Sequence, residues 1–151
     1  MTRVDFYHLQ KTGVEQTLPK LLEKAYATGK NSLVKIGNEE RVEFINTALW
    51  TYEEESFLPH GSRKDGSAEN QPIWLTSNND NPNNAAMLFL VDGAMISIDE
   101  LSNFERVFNL FDGTSESGLT QAREFWKQTK SAGFDCFYWQ QDETGSWKQK
   151  A

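Results

Sequence analysis

Between Ala122 and Phe134 the chain reads Ala-Arg-Glu-Phe-Trp-Lys-Gln-Thr-Lys-Ser-Ala-Gly-Phe. Arg123, Lys127 and Lys130 stand at i, i+4 and i+7, so a helix over this stretch carries three cations on one stripe. Trp126 follows Arg123 by three residues and lies at the edge of that stripe. A guanidinium holds a carboxylate through charge-assisted, often paired hydrogen bonds. An ammonium adds a compact charge, and an indole adds an apolar wall. Together they suit an acidic peptide that ends in an apolar side chain. The same residues also fit a plainer arrangement, a solvated charged face with Trp126 turned into the core. The stripe stands out because the chain around it is acidic, with a net charge of −7.

Other chemistry is sparse. Gly29-Lys30-Asn31-Ser32 has the look of the end of a phosphate loop, but it leads from a helix into a strand. Its amides therefore cannot meet a phosphate at a helix N-terminus. No Gly-x-Gly-x-x-Gly and no Gly-x-Ser-x-Gly occurs. His8 and His60 are far apart and lack metal-ligand spacing, so no metal and no cofactor are expected. Asp5, Asp92, Asp99 and Glu100 could converge on a cation, although acids at strand ends and helix starts are ordinary. Cys136 sits among Phe134, Phe137, Tyr138 and Trp139 and reads as an inert thiol in a packed strand. Three functions stay open on the residues alone. One is a non-enzymatic module that binds an acidic peptide, one a small α/β enzyme with an acidic active site at the strand ends, and one a direct single-stranded DNA binder that stacks bases on aromatics. The net charge weighs against the third.

The elements that must position these residues follow from hydrophobic period. Val4–Leu9, Leu33–Ile36, Ile73–Thr76, Ala86–Val91, Arg106–Phe111 and Phe134–Trp139 read as strands. The run at 86–91 is apolar throughout, as in a strand buried on both faces. Val14 to Tyr26 has helical period with Pro19 inside it, so the helix either starts near Thr17 or is longer and kinked. Asn38 caps a second helix in which Val42, Ile45, Ala48 and Leu49 share a face. The helix from about Ser117 to Ala132 ends at Gly133. Strands alternating with helices predict an α/β fold. It is a single-domain Rossmann-like layered structure, a mainly parallel sheet with helices on both faces, lacking a nucleotide-binding motif. The domain is expected over residues 1–140, with 141–151 as a polar tail holding Trp147 alone.

With 151 residues and 38% apolar content the chain can bury a core as one domain. It has no apolar run of about 18 residues, so no membrane span is expected. The start has no signal-peptide core, and one cysteine fits a reducing cytoplasm.

Several segments, in order, resemble the chi subunit family of bacterial DNA polymerase III. They are Asp5-Phe6-Tyr7-His8, Ala48-Leu49-Trp50, Ser56-Phe57-Leu58-Pro59-His60, Pro72-Ile73-Trp74-Leu75, Phe104-Glu105-Arg106-Val107 and Ala122–Lys127 with Ala132-Gly133-Phe134. The resemblance implies a Rossmann-like fold without a working nucleotide site, and a non-catalytic subunit of a polymerase holoenzyme. It implies an adaptor that links the clamp loader to single-stranded DNA-binding protein (SSB) by holding its acidic, Phe-ended tail. It places that tail on Arg123, Trp126 and Lys127, with Lys130 in support, because Leu119 stands where relatives often carry a basic residue. It places the second partner, the psi subunit or an equivalent clamp-loader component, around Trp50, Phe57, Leu58 and Pro59. Phe57 and Leu58 have two readings, an exposed docking patch or core under the loop. Nucleic acid would be met indirectly.

Overall fold

The computed structural model describes residues 2–10, 12–51, 59–63 and 65–151. Strands β1 (Arg3–Leu9), β2 (Ser32–Ile36), β3 (Ile73–Thr76), β4 (Met87–Val91), β5 (Arg106–Asp112), β6 (Asp135–Gln141) and β7 (Trp147–Gln149) form one sheet. Its order is β3-β2-β4-β5-β1-β6-β7. Every pairing is parallel except β6 with β7. The helices are α1 (Val14–Ala27), α2 (Glu39–Thr51), α3 (Ile98–Leu101) and α4 (Glu116–Ser131).

Side chains alternate across the sheet and feed two cores. Leu88 and Leu90 of β4 join Phe6, Leu101, Phe104 and Phe125 on the α3/α4 side. Met87, Phe89 and Val91 join Leu18, Leu22, Ile45 and Leu49 on the α1/α2 side. All five residues of β4 are buried, as its continuous apolar run requires. The sheet with helices on both faces is the layered fold expected.

Some local detail differs from expectation. Helix α1 begins at Val14, and Pro19 falls in its second turn. The start is set by Gln16, whose Oε1 accepts the Gly13 amide at 3.2 Å. A glutamine three residues after the cap is a start signal that outweighs the proline. Pro19 is buried, so its ring is repaid by packing. The C-terminal segment, read as a polar tail, contains β7, which pairs antiparallel with β6 through Gln140–Lys148 and its neighbours. Asp142 closes the hairpin by accepting from Thr144 and Ser146. Trp147 is not alone, for its ring meets Tyr7 edge-on at 5.1 Å.

Candidate functional site

Helix α4 is built to present its stripe. Ser115 caps it, its Oγ accepting the Gly118 amide at 3.1 Å. At the other end Phe134 N donates to Thr129 O and Gly133 N to Lys130 O, closing a Schellman motif. Gly133 carries the positive φ, 89°, that this stop needs. Ala122, Phe125 and Thr129 are buried against the sheet. Leu119 and Trp126 are half-buried and pack on the same core. Arg123, Lys127 and Lys130 are exposed. They lie beside Leu119 and Trp126 on the helix surface, since steps of three, four and seven residues bring them together. Among the described residues none of the three forms an ion pair.

Trp126 is neither free nor fully in the core. Its ring meets Phe6 at 5.2 Å and Tyr138 at 6.1 Å, both edge-on. Lys130 Nζ stands 5.4 Å from its centroid, a cation–π contact that fixes the ammonium over the indole. The spacing places Trp126 at the stripe's edge, and the packing leaves it half open to solvent.

Tyr138 and His8 were not singled out as site residues. Tyr138, half-buried on β6, lies beside Trp126, and its hydroxyl bonds His8 Nδ1. Burial pushes the Tyr138 phenol above its usual range, and the Arg123 charge pulls it part of the way back. That coupling places Arg123 within electrostatic reach of Tyr138. His8 is buried against Phe111, ring centroids 5.0 Å apart. Burial pushes its imidazole below the usual range, opposed by the Gly113 backbone and Asp112. Gly113 makes room for it, since a Cβ there would stand 1.9 Å from His8 Cδ2. The wall formed by Leu119, Trp126 and Tyr138, edged by three cations that form no ion pair among the described residues, can accept an aromatic side chain with adjacent carboxylates. The missed signal lay in β1–β6 pairing, which sets Tyr138 opposite Phe6 and next to His8.

The second candidate patch lies on the opposite layer. Trp50, near the end of α2, is 48% exposed and its ring stands 4.4 Å from that of His60. Pro59 is half-buried. Phe57 and Leu58 lie outside the described residues, as does the acidic run Glu53–Glu55. Phe44, also 48% exposed, adds a second large apolar group to the outer face of α2, with the Arg41 guanidinium 4.2 Å from its ring. Phe44 falls outside the period set by Val42, Ile45 and Leu49, and that mismatch was the available signal.

The remaining chemistry divides clearly. Asp5 is fully buried and accepts from Arg3, Arg106 Nε and Trp139 Nε1, at 2.9 to 3.2 Å. Asp92 pairs with Arg41 at 3.0 Å. Among the described residues no three His, Cys, Asp or Glu side chains gather as a metal site. The Cys136 thiol is buried, donates to Thr129 Oγ1 at 3.2 Å and is pushed up in pKa by that burial. No described helix is long and apolar enough to cross a membrane. Gly29 ends α1 and leads into β2, so Gly29-Lys30-Asn31-Ser32 joins helix to strand as its sequence indicates. A cleft of about 680 Å³ opens at the carboxyl ends of β1 and β5, beside the starts of α1 and α4.

Comparison with known proteins bears on the whole chain. The family model described as DNA polymerase III chi subunit, HolC, matches residues 1–136. A curated relative, the probable DNA polymerase III subunit chi of Rickettsia prowazekii (strain Madrid E), is 28% identical over 159 aligned positions, covering 100% of this chain and 93% of the relative. The segments that carry the resemblance thus belong to one continuous likeness, and the chain is a member of the DNA polymerase III chi subunit family.

Proposed function

We propose that this chain is a non-enzymatic replication adaptor that links the clamp loader of DNA polymerase III to SSB by holding the acidic, Phe-ended SSB tail. The observation that carries this reading is the border between the exposed cations Arg123, Lys127 and Lys130 and the half-buried wall of Leu119, Trp126 and Tyr138. On an acidic protein, three neighbouring cations that form no ion pair among the described residues invite an anionic ligand. The wall receives the terminal Phe ring, and Arg123 takes carboxylate oxygens with its guanidinium fork. Leu119 adds apolar contact where it supplies no charge.

The second partner, psi or an equivalent clamp-loader component, docks on the outer face of α2 around Trp50, together with Phe57, Leu58 and Pro59. DNA is reached through SSB, and the reaction chemistry belongs to the polymerase rather than to this chain. The protein works in the cytoplasm. Titrating the chain with a synthetic acidic peptide ending in Phe, and with the same peptide ending in Ala, tests the tail site. Saturable binding that depends on the Phe supports the reading, and equal or absent binding of both peptides overturns it.

A further inference from the structure

The cleft at the carboxyl ends of β1 and β5 is lined by none of the residues proposed to hold the SSB tail or the second partner, although Arg41 on its rim also stacks on Phe44 of α2. Parallel α/β sheets place ligands where strand order reverses, and here the chain leaves β1 toward β2 on one side and returns through α4 to β6 on the other. Asn109 of β5 lines this cleft. It is 9% exposed, and its carboxamide makes no hydrogen bond among the described residues. The carboxamide is not among the desolvated polar groups and meets the solvent of the cleft instead of a protein group, so it is available to an outside ligand.

The electrostatics select the ligand. The described lining carries three carboxylates, Glu15, Asp92 and Asp112, against one guanidinium, Arg41. Asp92 already occupies that guanidinium. Glu15 lies in the first turn of α1 with its carboxylate beside Gly13, and Ser115 Oγ caps α4. Gln16 Oε1 takes the Gly13 amide at the start of α1 and Ser115 Oγ the Gly118 amide at the start of α4, so a phosphate would meet the protein's own acceptors and the Glu15 charge there. Leu110 and Phe111 bring apolar surface to the same cleft.

We propose that this cleft docks a basic peptide segment of a partner protein. An arginine or lysine side chain enters along the apolar surface, donates to the Asn109 carbonyl oxygen and is balanced by Glu15 and Asp112. The proposal goes beyond SSB-tail binding and uses a different surface.

The test uses the full chain and a capped hexapeptide carrying one arginine among neutral residues, with a second hexapeptide in which glutamine replaces that arginine. The readout is the NMR signal of the Asn109 side-chain amide, assigned by its loss in Asn109→Leu. The arginine peptide should shift this signal saturably, and the glutamine peptide should not. Asp112→Asn keeps the oxygen that Thr114 uses and should weaken the arginine peptide by about ten-fold. Glu15→Gln should also weaken it, while both variants bind the acidic Phe-ended peptide as the parent does. Asn109→Leu should melt at or above the parent temperature. A lower melting point would reveal a structural role for the carboxamide, and the two charge variants would still decide the ligand. No shift, equal shifts from both peptides, a shift from adenosine alone, or free arginine binding as tightly as the peptide would each overturn the proposal.

Discussion

Replacing Arg123 by alanine should cost tail affinity and almost nothing else. Arg123 is exposed and has no ion-pair partner among the described residues, so its removal should change stability by no more than about 0.5 kcal/mol. A hydrogen bond to a charged group is worth about 1.5–3 kcal/mol, and exposure places Arg123 at the lower end. About 1.5 kcal/mol corresponds to a loss of about ten-fold in affinity. Trp126→Ala supplies the contrast, because that half-buried ring packs on Phe6 and Tyr138. Full Trp truncation costs about 3–5 kcal/mol, so half-burial suggests about 2 kcal/mol. At this chain length each kcal/mol lowers the melting temperature by about 2–4 °C, giving a drop of about 4–8 °C. Calorimetric titration with the acidic Phe-ended peptide, run beside thermal melts, reads both quantities. A third measurement needs no ligand. Arg123 holds the Tyr138 phenol down, so in Arg123→Ala that phenol should titrate at still higher pH. Unchanged peptide affinity would remove Arg123 from the site, and an unmoved Tyr138 titration would refute the geometry behind the argument.

Tail binding should weaken clearly as salt rises, since exposed charges are screened within about 10 Å at 0.1 M; equal affinity at low and high salt would assign the energy to the apolar wall alone. Lys127→Ala should impair SSB-tail capture and spare the clamp-loader partner, while Trp50→Ala does the reverse, as pull-downs with each partner will register. Stability should fall as pH drops below about 6.5, because unfolded His8 takes up a proton there while the folded, buried ring resists until its lower pKa is reached. Melts across that window should lose much of their slope in His8→Gln, and an unchanged slope would assign the effect to other groups.

Much of the fold was legible because its signals are local. The apolar run at Met87–Val91 could only be a strand buried on both faces, and Gly133 after a periodic stretch marked the end of α4. The misses needed information from elsewhere in the chain. Trp147 looks isolated in a polar segment until β6 is there to pair with, and Tyr7 supplies the ring it meets. The cationic stripe was readable from spacing on one helix. The wall beside it was not, because Leu119 and Trp126 come from α4, Tyr138 from β6 and His8 from β1. Asn109 reads in sequence as a polar interruption of a strand; only the cleft shows that it has solvent and no partner among the described residues.

The topology explains why the two proposed docking patches do not compete. Crossovers between parallel strands in one sheet are right-handed, so the direction of travel decides which face a helix covers. From β1 the chain travels toward β2, and α1 and α2 pack on one face. From β5 it travels back past β1 to β6, and α4 packs on the other. Trp50 and Phe44 on α2 are therefore separated from Arg123, Lys127 and Lys130 on α4 by the thickness of the sheet. An adaptor must hold two partners at once, and its linkage is lost if they exclude each other. The reversal that places these helices on opposite faces also opens the cleft around Asn109. A nucleotide-binding relative of this layout would fill that crevice with a phosphate. Here Glu15 stands beside the start of α1 and Ser115 Oγ caps α4, so the crevice opposes a phosphate, and the proposed macromolecular contacts fall on the outer faces of α2 and α4 instead.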